Sequence, residues 1–206
     1  MEILHLRGPA PLSTNTFLVT DGKVAAAIDP AAAPQEYLRL LKERGLALTH
    51  ILLTHGHYDH VGAVEALRAA TGAAVYLAKE DAQGGRLFPF TTPDEDYRDG
   101  MTVPVGELAF TVYRTPGHSP GSVCLLCGDA LFSGDTLFAG DIGRTDLAGG
   151  SMDDMQRSRK SCAAPSGRTC RCCPATRNFP PCPPSGGTTP TLRPTRSCEG
   201  RPWNYT

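Results

Sequence analysis

Three imidazoles and a carboxylate fall within six positions in Thr54-His55-Gly56-His57-Tyr58-Asp59-His60. The run follows His50–Thr54, a short apolar stretch of the kind that forms a strand buried on both faces. A strand end opening into a loop is where side chains can converge on one point. Gly56 lets the backbone turn sharply between two of the imidazoles. Packing gives no reason for such a density of histidine, whereas a cation would use it. Two further residues sit at comparable places. His118 lies in Thr115-Pro116-Gly117-His118-Ser119-Pro120-Gly121-Ser122, and Asp135 in Ser133-Gly134-Asp135-Thr136-Leu137-Phe138. Alone, His118 reads as a turn histidine and Asp135 as a capping or turn aspartate. Together with the His55–His60 run they give three strand ends, each offering nitrogen or oxygen ligands of the kind that suit zinc, iron or manganese.

The elements that must position these groups follow from periodicity and turn chemistry. Met1–Leu6, Asn15–Thr20 and Lys23–Ile28 read as strands, the last two hinged by Asp21-Gly22. Pro34–Arg44 carries Tyr37, Leu38 and Leu41 at helical spacing and stops at Gly45. Val61–Ala70 reads as a second helix closed by Gly72, and Ala73–Ala78 as a strand. Asp81–Arg98 is polar and irregular and reads as a long surface loop. Leu108–Arg114, Ser122–Leu126 and Ala130–Ser133 complete the strands. Strands interleaved with helices indicate a layered α/β or α+β domain. His50, inside its apolar run, reads as a packed histidine. Cys124 and Cys127 have knuckle spacing, but positions i and i+3 of a strand face opposite sides, so two buried thiols are expected.

The pattern His55-x-His57-x-Asp59-His60, then His118, then Asp135, resembles that of the metallo-β-lactamase-fold hydrolases. Gly134-Asp135-Thr136-Leu137-Phe138 followed by Gly143-Arg144-Thr145-Asp146 is similar to the glyoxalase II-like (hydroxyacylglutathione hydrolase-like) branch. The likeness runs from about the first strand to Met155. It implies a four-layer αββα sandwich with two divalent metal ions, zinc foremost and iron or manganese as alternatives, in a cleft along one edge. It further implies that His55, His57 and His118 hold the first metal, that Asp59 and His60 hold the second, and that Asp135 bridges them. A hydroxide shared by the two ions, with Asp59 as the carboxylate beside it, would then attack a thioester such as an acyl-glutathione. Ser122 and Arg144 fit roles in supporting the ligands or anchoring their loops. Asp29 matches a family position near the site, although the turn Asp29-Pro30 explains it equally well. A persulfide dioxygenase-like oxidoreductase with a single iron is the competing activity of this fold.

The chain changes character after Gln156. Residues 1–156 hold 11 Lys/Arg against 20 Asp/Glu; residues 157–206 hold nine against one. That last segment also carries nine of the 18 prolines and six of the eight cysteines, with Leu192 its one branched aliphatic residue. The expected division is therefore a catalytic domain over 1–156, cut short on its C-terminal side, and an irregular, disordered tail over 157–206. The family pattern asks for one more histidine in a Pro-Gly-His segment, and no histidine follows His118. A zinc module or a basic nucleic-acid arm are possible readings of the tail. A reading-frame shift accounts for more. Codons begun one nucleotide earlier force a leucine across Cys172-Cys173 and permit Leu-Pro-Gly-His-Glu-Glu-Phe-Ser up to Pro180, the histidine codon spanning Ala175 and Thr176. The same frame permits Glu-Arg-Arg-Tyr-Asn-Pro over Pro184–Pro190, similar to the family's ending. The shift traces back to about Ser158. The chain as it stands is then expected to hold its second metal weakly and to turn over poorly, as an impaired relic of the hydrolase.

Bulk composition narrows the partners. With 40% hydrophobic and 20% charged residues a buried core is feasible, and a net charge of −1 gives no general pull toward nucleic acid or acidic membrane. The acidic first 156 residues show no basic stripe, which argues against RNA or DNA processing. No run of 18 apolar residues occurs, and Met1–His5 lacks the features of a signal peptide. A cytoplasmic enzyme acting on a small molecule is the expectation.

Overall fold

The computed structural model describes residues 1–138, 141–162 and 171–174. Its first half builds one mixed sheet. Strands β1 (Glu2–Arg7), β2 (Asn15–Thr20) and β3 (Val24–Ile28) run antiparallel in sequence order. Helix α1 (Pro34–Arg44) then crosses to β4 (Ala47–Leu52), and α2 (Val64–Thr71) to β5 (Ala74–Tyr76), both strands joining in parallel. Helical crossovers are what parallel neighbours require. Proline at the start of α1 and Gly45 in the left-handed conformation (φ 64°) at its end fix that helix where the sequence puts it.

The second half is a meander. β6 (Thr102–Val105), β7 (Leu108–Arg114), β8 (Val123–Cys127) and β9 (Ala130–Gly134) pair antiparallel in turn. A small hairpin, β10 (Leu137–Phe138) and β11 (Asp141–Ile142), follows, then α3 (Met152–Cys162) and β12 (Arg171–Pro174). β12 pairs in parallel with β9, giving the sheet order β12-β9-β8-β7-β6.

Period-two alternation assigns the two faces of the first sheet. Leu18, Ala25, Ala27 and Ile51 pack outward against Tyr37, Leu41, Val64 and Leu67 of the helices. Phe17, Val19, Ala26, Ile28 and Leu52 pack inward against Phe110, Val112, Val123, Leu125 and Phe132 of the second sheet. Phe17 and Phe132 meet edge to face at 5.3 Å. Cys124 and Cys127 are both buried, on opposite faces of β8: Cys127 lies between the sheets and Cys124 packs with Leu131 beyond the second one. The layers are those of the αββα sandwich, with α3 the one described helix on the C-terminal side and β12 extending the second sheet.

Several details depart from the sequence reading. β4 begins at Ala47 and ends at Leu52, and α2 begins only at Val64, because residues between them are spent on turns. The stretch Asp81–Arg98 is irregular and mostly exposed, as expected of a surface loop, but it is anchored by Asp81, Phe88, Phe90 and Tyr97, all of which are buried. β6 goes unseen in the sequence because Pro104 sits in it, which an edge strand tolerates. Residue 156 falls inside α3, where Met155 is buried and Ser158 Oγ donates to the Pro116 carbonyl at 2.7 Å. Arg171–Pro174 also proves regular, since pairing through backbone groups asks little of side chains and Cys173 is a small apolar group buried against β9. The remaining tail, with the Ala175–Thr176 codons and the Pro184–Pro190 segment, lies outside the described residues. Among the described residues no helix is long and apolar enough to cross a membrane.

Candidate metal centre

The C-terminal ends of β3, β4, β5, β7 and β9 lead to one edge of the sandwich, and each delivers a polar side chain there. The two sheets are tied at that edge by Val123 N–H, which donates to the Thr54 carbonyl at 2.8 Å. Beyond β4 the chain turns tightly, His60 N–H donating to the His57 carbonyl at 2.9 Å, so that His55, His57 and His60 all point inward while Tyr58 points out. The His118 loop after β7 and Asp135 after β9 close the ring.

The groups come together in two sets, the first as predicted and the second with Asp29, rather than the expected Asp59, grouped with His60. One nitrogen each of His55, His57 and His118 lies within 4.8 Å of the others, and ligand atoms of Asp29, His55 and His60 do the same. His57 Nδ1 is 2.9 Å from His118 Nε2. Asp135 spans the sets: Oδ2 is 3.4 Å from His118 Nε2 and Oδ1 3.7 Å from His60 Nε2. Asp59 Oδ2 stands 3.6 Å from His60 Nε2 and accepts a hydrogen bond from Thr14 Oγ1 at 3.0 Å.

Protonation follows from the partners. His118 Nδ1 lies 2.7 Å from the Arg144 carbonyl, which can only accept, so this nitrogen carries the proton and Nε2 offers a lone pair inward. Burial, then repulsion from the neighbouring imidazoles, pushes His55 well below the ordinary histidine range. The same causes bring His57 down to about 3. Burial also works against charge on His60, but Asp29, Asp135 and Asp59 outweigh it and raise that imidazole to about 9. Asp135 is pushed up by burial, an effect that His60 and His118 oppose.

The residues present fit a bound cation. His55 Nε2, His57 Nε2, His60 Nε2 and Asp135 Oδ1 are buried without a hydrogen-bond partner. Leaving such a group unsatisfied costs about 1–3 kcal/mol, and four in one cluster is an arrangement that a divalent ion would relieve. Imidazole and carboxylate together suit zinc, iron or manganese.

Supporting residues divide into those foreseen and those not. Ser122 Oγ bonds Ser119, beside His118. Arg144 acts through its carbonyl; its guanidinium turns outward to Asp146 at 2.7 Å. Asp29 faces the cluster. Its carboxylate accepts from Thr54 N–H at 2.7 Å and Thr54 Oγ1 at 2.6 Å, and its Oδ2 stands 3.1 Å from His60 Nδ1. It does so from a left-handed backbone (φ 45°), which aspartate tolerates better than most side chains. His50 lies away from the cluster, bonded to Thr49 and stacked on Tyr76. Sequence reasoning missed Asp81, which lies buried between the loops of His57 and His118. Its one sequence signal is positional, a place soon after β5 like that of His55 after β4.

Residues 9–170 match the model of the metallo-beta-lactamase superfamily. A hydroxyacylglutathione hydrolase of Cereibacter sphaeroides is 40% identical over 157 residues, 74% of this chain, which spans 59% of that protein's length. The crystal structure of ETHE1 from Myxococcus xanthus superposes with a TM-score of 0.73 at 31% identity, covering 86% of this chain and 76% of the other. That of TTHA1623 in a di-iron-bound form gives 0.71 at 34% identity, covering 85% and 92%.

Proposed function

Because the chain belongs to the metallo-beta-lactamase superfamily, we propose that it is a metal-dependent hydrolase of a small thioester such as an acyl-glutathione. The observation that carries this reading is the convergence of His55, His57 and His118 with His60, Asp59 and Asp135, with His55 Nε2, His57 Nε2, His60 Nε2 and Asp135 Oδ1 buried and unpartnered. In this reading His55, His57 and His118 would hold one divalent ion and Asp59 and His60 a second, with Asp135 offering its carboxylate between the two sets. Such ions lower the pKa of water and polarise a carbonyl, supplying nucleophile and electrophile without a serine or cysteine.

The chain's own groups do the positioning. Thr14 holds one Asp59 oxygen by a hydrogen bond and so fixes the carboxylate's orientation at the mouth. The Phe88 ring, 4.7 Å from that of His57, keeps water from the back of the cluster. Beside Asp59 lies a cavity of about 200 Å³ lined by Pro11, Leu12, Ala31 and Tyr58, a place for an uncharged arm of the substrate. The similarity to a hydroxyacylglutathione hydrolase supports the thioester class.

One observation favours a second reading. With no histidine after His118, the His55–His57–His118 set is the better furnished of the two, which suits a single iron and persulfide oxidation. A panel of thioesters, esters and lactams, run with and without a chelator, tests the proposal. Thioester cleavage should vanish on chelation and return with zinc, iron or manganese. Cleavage indifferent to the chelator would refute a metal-dependent hydrolase, and oxygen uptake with a persulfide would favour the second reading.

A further inference from the structure

A single turn of 3₁₀ helix, Lys79–Asp81, follows β5, and its last side chain is completely buried. Asp81 Oδ2 accepts from Gly56 N–H at 2.9 Å and from Ser119 Oγ at 2.6 Å; Oδ1 accepts from Gly121 N–H at 2.7 Å. Gly56 separates His55 from His57, and Ser119 follows His118. One carboxylate therefore grips both loops that carry the three-histidine set, through two backbone N–H groups and a serine hydroxyl. Ser122 Oγ extends the grip by accepting from Ser119 N–H at 3.1 Å and bonding Ser119 Oγ at 2.7 Å.

The approach is close enough to exclude other side chains. A Cβ on Gly56 would lie 2.7 Å from the Asp81 carbonyl oxygen, and one on Gly121 would lie 2.6 Å from its carboxylate. Glycine at both positions is thus explained by contact with Asp81 rather than by backbone torsion. Three bonds to a buried carboxylate, each assisted by its charge, make a stiff link.

We propose that Asp81 is a positioning residue that sets the separation of the His118 loop from the His55–His57 loop, and through it the affinity and geometry of the first metal site. The proposal rests on reading those three histidines as ligands. Second contacts of this kind typically change metal affinity roughly 10–100-fold.

The test compares Asp81→Asn with Asp94→Asn, using the full chain. Asp94 also ties a loop, accepting from Val75 N–H at 2.8 Å and pairing with Arg68, but serves no ligand. Zinc affinity is measured by competition with a chromophoric chelator, cobalt geometry by the visible spectrum, and stability by thermal melting without metal. Asp81→Asn should weaken zinc binding roughly 10–100-fold and shift the cobalt bands. Asp94→Asn should lower the melting temperature and leave both metal readouts unchanged. Ser119→Ala, which removes one of the three bonds, should give a smaller loss in the same direction and carries the test should Asp81→Asn fail to fold. Unchanged zinc affinity and cobalt bands in these variants, with normal binding by the parent, would overturn the proposal alone. No zinc binding by the parent would overturn the reading of the site as well.

Discussion

Replacing His57 by alanine is expected to lower metal-dependent turnover by about 10³-fold or more, a loss of about 4 kcal/mol in the barrier. The imidazole stands between two others, its Nδ1 2.9 Å from His118 Nε2, and burial keeps it neutral with a lone pair to give. Its loss leaves two nitrogens and the Asp135 carboxylate where this reading assigns the ion four protein ligands. The metal-free fold should suffer little, since the substitution also removes a buried nitrogen that has no hydrogen-bond partner. Steady-state kinetics with metal in excess, set beside thermal melting of the metal-free protein, separates the effects. Undiminished turnover in His57→Ala would place the chemistry elsewhere.

The second large effect concerns the tail. We infer a frameshift near Ser158, and restoring the frame should add a firmly held second metal ion and raise turnover by on the order of 10²-fold, two ions clamping substrate better than one. β12 gives the reason. Pro174 pairs opposite Gly134, the residue before Asp135, and its carbonyl accepts from Asn15 Nδ2 at 3.0 Å. The strand therefore ends beside the carboxylate that spans the two ligand sets. In the shifted frame the histidine codon follows within two residues. Metal titration of restored and unrestored chains, after resequencing the DNA around Ser158, checks this. Equal metal content and affinity in both chains would defeat it, as would two tightly held ions in the chain as it stands.

The strands and helices that read most clearly are those whose periodicity and end signals agree. β2, β7 and α1 fall on the residues expected, α1 because Pro34 and Gly45 mark its ends. α2 starts three residues late because Val61–Ala63 still belongs to the turns that aim His55, His57 and His60. The six candidate ligands stand out because strand ends bring distant residues to one edge, and their types are conspicuous. Asp81 is hidden by composition: it opens a run rich in Asp, Glu and Arg that resembles a solvated loop. Its burial is decided by Gly56 and Gly121, far off in sequence, with buried Phe88, Phe90 and Tyr97 covering that segment. Asp29 stays ambiguous for a related reason. An Asp-Pro stop and an inward-turned carboxylate share one sequence, and only the partners Thr54 and His60 tell them apart.

Anomalous X-ray scattering at the zinc edge, from crystals grown with saturating zinc, tests the central claim most directly. The strongest peak should lie among His55, His57 and His118, with a weaker one toward Asp59, His60 and Asp135. Zinc bound elsewhere on the chain, with no peak among those six side chains, would contradict the account.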